Sequence, residues 1–340
     1  MRFARHFWIA AVCTFGLLVS TSAVQAQNTK LLPNDTELVL TFNLAQILKS
    51  DVVTKNDLIV GIAKAKIKDL LDEKGIAKFL EKADFELFRD LHSITIAVPG
   101  GNRNPEDSFI VIEGKFDAEK IEAMAKDVDK ETGGVKPVKI AGINAFEVSP
   151  KEDKKVYVGV LDKKTVIATA SKVDFAEAVA RLNGNKKAAF KTEVIKSLLE
   201  TVNAKQSISL VATSNIMAKL AENAPQGGAG DKAKQVMEVL KTMDGFSAAV
   251  TIKTDIDFLL GINTKDADTA SKYAAKGGLL IAGAKAMIAD QAKKNEKLGP
   301  LVDIVNTLKL TTQGSNLVVR GQITFDTLTE VLKNLPPLKE

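Results

Sequence analysis

The side chains able to do chemistry in this sequence are few, and their spacing suits none of the common mechanisms. Of its two histidines, His6 lies in an apolar N-terminal stretch, so His92 is the obvious candidate for proton transfer near neutral pH. An internal comparison argues otherwise. Aligning "RDLHSITIAV" with "TMDGFSAAVTI" through Asp90/Asp244 and Ser93/Ser247 sets His92 opposite Phe246. A place filled by Phe in one copy and His in the other is a packing position at a strand entrance. We expect no acid, serine or metal to converge on it. "GFSAA" (245–249) comes close to the G-x-S-x-G nucleophile elbow, which needs a strand before it and a helix after it. Ser247 instead opens an alternating run after a helical one, and no Ser-x-x-Lys occurs, so it reads as structural.

Metal and phosphate chemistry are equally thin. Cys13 is the only cysteine and sits in the same N-terminal stretch, which leaves no His/Cys ligand set. "NRNPED" (Asn102, Asn104, Glu106, Asp107) groups oxygen ligands without the spacing of a calcium loop, and reads as a solvated hairpin loop. "GGAGDK" (227–232) lacks G-x-x-x-x-G-K-[ST] and reads as flexible linker. The 42 acids offer many pairs for glycoside hydrolysis. Sugar clefts, however, stack rings on aromatics, and beyond Trp8 the chain has no tryptophan and only Tyr157 and Tyr273 as tyrosines. No catalytic, cofactor-binding or metal residue is therefore assigned, and no cofactor is expected.

The N-terminal stretch explains much of this poverty. Arg2 and Arg5, an apolar core from Trp8 to Ser20, and small residues Val24 and Ala26 before Gln27 form the pattern of a secretory signal peptide over 1–26. Cys13 lies inside the apolar core rather than at its end, which argues against a lipid anchor. The formal charge is +5 and becomes +3 without Arg2 and Arg5. Lysines alternate with acids, as in "KEDKKV", with no dense basic arm, so nucleic acid is not an expected partner. "GGLLIAGAKAMIADQAKK" is interrupted by Lys285 and reads as an amphipathic helix, so no transmembrane anchor is expected after cleavage. An exported chain without disulfides must be held by its core, and some three hundred residues suffice for about two domains.

Several segments repeat one grammar: a β-rich run, a polar cap, then apolar positions at helical spacing. They are "ELVLTFN-LAQILKS", "FIVIEGKF-DAEKIEAMAKDV", "TVIATASKVD-FAEAVARL", "SISLVATSN-IMAKLAEN", "DFLLGINTKD-ADTASKYAAK" and "NLVVRGQITFD-TLTEVLKNL". "HSITIAV" and "FSAAVTI" precede two of them as hairpin partners, and "AGINAFEV" with "KVYVGVLDKKTVIATA" predicts a three-strand meander turning near Lys163 and Lys164. The last unit predicts a hairpin turning at 313–316. Helices are predicted over 56–88, 188–203 and 231–243, with a linker at 223–231. The expected fold is α+β: two diverged ββα-repeat halves, 30–204 and 205–340, of mainly antiparallel sheet with helices on one face.

Residues Leu32-Pro33-Asn34-Asp35-Thr36, Asp117-Ala118-Glu119-Lys120, Gly142-Ile143 and the run 155–182 give an order that resembles a family of exported, uncharacterised bacterial proteins classed as a domain of unknown function. The resemblance covers most of the chain after the leader, and implies fold and compartment but no activity. The expectation is thus a periplasmic or extracellular protein that binds another protein or an envelope component without catalysis. The alternatives are a hydrolase built from carboxylates and a carrier of an apolar ligand between helices and sheet.

Overall fold

In the computed structural model the described residues are 28–55, 85–101, 103, 107–132, 134–151, 154–202, 205–222 and 242–334. The leader, the 223–231 linker, and most of the helices predicted over 56–88 and 231–243 lie outside them. The chain is mixed α+β, its strands paired antiparallel. Packing divides it into two compact units. The first runs through residue 193 with 203–208. The second takes 50–52, 194–202 and the elements from Ser209 on.

In the first unit β1 (Thr36–Asn43) leads into α1 (Leu44–Ile47), followed by α2 (Asp51–Thr54), α3 (Leu87–Asp90) and the hairpin β2 (Leu91–Pro99) and β3 (Phe109–Gly114). Next come α4 (Ala118–Thr132), β4 (Val135–Ile140), β5 (Ile143–Lys151), β6 (Lys154–Asp162), β7 (Thr165–Thr169) and α5 (Lys172–Leu182). The sheet order is β1-β2-β3-β7-β6-β5-β4. The meander has four strands rather than the predicted three. β4 escapes the sequence because Pro137 breaks its β pattern, yet an edge strand tolerates proline, whose missing N–H would face outward. The turn joining β4 to β5 has positive φ at both residues, 48° at Ala141 and 86° at Gly142, as a two-residue hairpin loop with the sheet's twist requires.

Helices were expected on one face, but this sheet is covered on both. Phe175 of α5 is fully buried against Gly159, where a Cβ would meet its ring, and that face carries Phe109, Val111 and Ile167, all at 0% exposure. On the opposite face Asn144 of β5 donates to Glu122 Oε1 of α4 at 3.1 Å. That face also gathers Ile96, Ile110 and Ala168, with Leu40, Ile94, Ile112, Val156 and Val158 half-buried around them. The reason is visible in β7: all five residues are buried, and a strand apolar on both sides cannot be satisfied by one helix layer.

The second unit begins with α6 (Glu193–Thr201), which starts later than the predicted 188 because Ala189 and Lys191 donate their N–H groups to Asn34 instead of to a helix. Then come β8 (Ile208–Thr213), α7 (Ser214–Glu222), the hairpin β9 (Met243–Ile252) and β10 (Ile256–Thr264), and the 28-residue α8 (Ala267–Lys294). It closes with α9 (Gly299–Thr307), the hairpin β11 (Lys309–Gln313) and β12 (Asn316–Ile323), and α10 (Phe325–Asn334). The strand order is β11-β12-β10-β9-β8, and the last hairpin turns where the sequence predicts. Here too both faces are used. Thr201 of α6 donates to Ser247 on one side, while Gly277 of α8 backs onto Leu310 on the other.

Capping follows the predicted grammar with a shift in register. Asp117 accepts from the N–H groups of Glu119 and Lys120, Asp266 from that of Thr269, and Asn43 from that of Gln46. The other three units cap earlier than their quoted breaks. Thr213, Ser171 and Thr324 take the N–H groups of Ile216, Asp174 and Thr327. A hydroxyl at the strand's end turns the chain at the first opportunity, which places Asp174 and Asp326 inside the first turn, where a carboxylate favours the helix dipole.

Candidate functional site

Most residues singled out for chemistry are used for structure. Ser247 is fully buried and hydrogen-bonded to Thr201 at 3.2 Å, and Ser93 is buried with its hydroxyl donating to Glu113 Oε2 at 3.0 Å. The "NRNPED" loop falls largely outside the described residues, as does "GGAGDK". Of its members Arg103 and Asp107 are described, and Arg103 is not merely solvated: it bridges Asp35 (3.3 Å) and Asp174 (2.6 Å).

That bridge belongs to a clamp built on residues 31–36. Thr36 donates its hydroxyl to the Pro33 carbonyl at 2.7 Å. Asn34 Oδ1 accepts from Arg181 at 2.9 Å and from the N–H of Ala189 at 3.2 Å. Arg181, its side chain 1% exposed, also donates to the Leu31 carbonyl at 3.3 Å and pairs with Glu177 at 2.6 Å. Glu177 in turn holds Lys186 at 2.5 Å, and the Lys186 hydrogen bond keeps its carboxyl below the usual carboxylate range. Among the described residues Arg181 Nε is the buried side-chain polar atom left without a partner, and the clamp fastens the N-terminal segment to α5.

His92 lies beside a different cluster. It is half-buried; burial first, then the Lys115 ammonium, lower its pKa, with Lys164 adding to this and Asp90 opposing it. The imidazole is therefore neutral at neutral pH. Asp90 is the acid whose charge His92 feels, but that carboxylate is committed elsewhere. Arg89 grips both its oxygens, at 2.8 and 2.6 Å, and the Glu86 N–H donates at 2.9 Å. The Arg89 hydrogen bond is the main reason its pKa lies below the ordinary value.

Next to this pair is a recess of about 470 Å³ whose walls include Phe85, Phe116, Arg89, Lys115, Lys163 and Lys164. The two rings stack at 5.6 Å and 3°. Backbone bonds set the walls. The N–H of Gly114 donates to the Lys164 carbonyl (2.9 Å), that of Phe116 to Lys163 (3.0 Å), and that of Lys115 to Asp90 (2.8 Å). A Cβ on Gly114 would lie 2.4 Å from the Asp90 carbonyl, so only glycine lets the end of β3 approach so closely. Among the described residues no carboxylate pairs with the ammonium groups of Lys115, Lys163 or Lys164. Of the two acids at the recess, Asp90 is held by Arg89 and Asp117 caps α4. The result is a cationic mouth over an aromatic floor, suited to an anion attached to an apolar group. The sequence flagged Lys163 and Lys164 only as turn residues, because Lys115 and Phe116 join them through the pairing of β3 with β7.

Among the described residues, no three His, Cys, Asp or Glu side chains gather as metal ligands, and no helix is long and apolar enough to cross a membrane. No protein-family model matches the chain, and neither does any curated protein or solved structure.

Proposed function

We propose that the protein is exported, cleaved after Ala26, and acts in the periplasm or outside the cell as a binding protein rather than an enzyme. Its partner presents an anionic group beside an apolar surface. The observation that carries this reading is the set of three ammonium groups, Lys115, Lys163 and Lys164, around the stacked Phe85 and Phe116, none of them paired with a carboxylate among the described residues. The hydrolase alternative draws no support from the recess, since both its acids are engaged. The resemblance to exported proteins of unknown function is consistent with this compartment and brings no activity with it. The duplicated-halves reading is supported by two strand-to-helix joins of the same form, β3 to α4 and β10 to α8, each capped by an aspartate, Asp117 and Asp266.

The test is a titration with anilinonaphthalene sulfonate, an anionic aromatic dye. We expect saturable binding that weakens with salt, is lost in the Lys115→Ser/Lys163→Ser/Lys164→Ser variant and is reduced by Phe116→Ala. Binding unchanged in the triple variant would refute the recess as the site. The export claim is checked by N-terminal sequencing, which should begin at Gln27. A second reading, carriage of an apolar ligand, is favoured by the half-buried aliphatic cluster around Ile96 and Ile110. It predicts dye binding that survives both salt and the triple variant.

A further inference from the structure

α8 carries large apolar residues on two sides, with Ile281 and Ile288 half-buried on the side of the buried Ala270. Lys285, which interrupts the apolar run, points inward and donates to the carbonyls of Asn306 (3.3 Å) and Leu308 (3.5 Å) at the end of α9, where a cation meets the negative end of a helix. Three large apolar residues on the opposite side face solvent. Leu279 is 77% exposed, Leu280 74% and Met287 63%, while Ala270 is the only buried residue of the helix. At 3.6 residues per turn these three side chains, Ala286, Lys276 and Asp290 all lie within about 60° of Gly283 on the helical wheel. Single exposed leucines need no explanation, but a contiguous stripe centred on a glycine does.

We infer that this stripe is where a second copy of the chain docks, the two α8 helices crossing antiparallel about a two-fold axis at Gly283. The register follows from symmetry, since residue i faces residue j and j faces i. Crossing at Gly283 lets the backbones approach where no side chain stands. It sets Leu279 against Met287 of the second copy, and Leu280 against Ala286. The same register brings Lys276 of each copy opposite Asp290 of the other, about 10 Å along the axis from the crossing. Asp290 holds Lys294 of its own helix through one oxygen, at 3.1 Å, which leaves the other oxygen for this pair. The like charges Lys272 and Lys294 face each other about 16 Å from the crossing, where helices packed at an angle have diverged. Charge complementarity and the central glycine thus select the same register independently. One helix crossing buries less than the roughly 800 Å² per partner of a standard interface, so the dimer should be concentration-dependent and in fast exchange.

Sedimentation velocity on the full chain tests this, with Cys13→Ser removing the only cysteine. We expect dimerisation with rising concentration. Lys276→Asp or Asp290→Lys alone should weaken it about tenfold, because each changes two symmetric pairs. The double exchange, Lys276→Asp with Asp290→Lys, should restore it to within about threefold. Gly283→Cys added to the same background should form a disulfide-linked dimer much faster than Gln291→Cys. A chain that stays monomeric, a double exchange that fails to rescue, or equal cross-linking at both cysteines would overturn the proposal. So would a monomer that binds phosphatidylglycerol vesicles and loses that binding on Leu279→Glu, since the stripe would then serve a lipid surface.

Discussion

Replacing Glu177 with glutamine should destabilise the first unit far more than a half-exposed surface acid normally would. Among the described residues Glu177 is the only carboxylate paired with Arg181, whose side chain is 1% exposed. Removing one partner of a buried pair costs about 3–5 kcal/mol when the remaining charge is left without compensation. Arg181 would keep the Leu31 carbonyl and Asn34 Oδ1, and Glu177 is itself 28% exposed, so we expect a loss of about 2–3 kcal/mol, near the low end. Urea denaturation followed by far-UV circular dichroism measures the loss, and amide exchange in α5 assigns it to the first unit. The mechanism makes a sharper claim. In an Arg181→Met background no charge is left unpaired, and Glu177→Gln should then cost less than about 0.5 kcal/mol. The pH dependence has a definite sign. Glu177's folded pKa lies below its ordinary 4.5, chiefly through the Lys186 hydrogen bond. Its stabilisation is therefore complete above 4.5 and disappears as pH falls through the folded value, so the deficit of the glutamine variant should shrink in acid. A cost that is the same with and without Arg181, or a deficit that does not change with pH, would refute the clamp as an electrostatic device.

Three further outcomes are expected. Ala141→Gly should stabilise the protein by about 0.5 kcal/mol, since relief of the left-handed strain at φ 48° exceeds glycine's entropy cost; thermal unfolding reads the sign. Ser171→Ala should cost about 1 kcal/mol by leaving the Asp174 N–H uncapped, while Ser171→Asp should stay near wild type in urea denaturation. His92→Phe should change stability by less than about 0.5 kcal/mol, and NMR titration of wild-type His92 should give a pKa below that of free histidine. A raised value would mean that Asp90 outweighs burial and the lysines.

The local elements were legible for local reasons. Strand runs such as Ile94–Val98 and Ile110–Ile112, the caps Asp117 and Asp266, and the turn near Lys163 and Lys164 all follow from residue types within a few positions of one another. β4 was not legible, because the tolerance for Pro137 comes from its place at a sheet edge. The start of α6 was also hidden, since residues 189–191 are drawn away by Asn34, some 155 positions earlier in the chain. The recess shows the same limit: Lys115, Lys163 and Phe85 are unremarkable singly and meet only through the pairing of β3 with β7 and the stacking of two rings.

Periodicity and composition alone established the α+β class, the antiparallel hairpins and the shortage of histidine and cysteine, because each depends on backbone preference or on a simple count. Tertiary structure decided which faces those elements bury. The pattern of α8 predicts an amphipathic helix yet does not say which side faces in. Lys285 reaches the Asn306 and Leu308 carbonyls at the end of α9 on the side where Ile281 and Ile288 are half-buried, and Leu279, Leu280 and Met287 on the other side stand in water. Burial depends on which partner is available, and the partner of α9's last turn lies about twenty residues away in the chain.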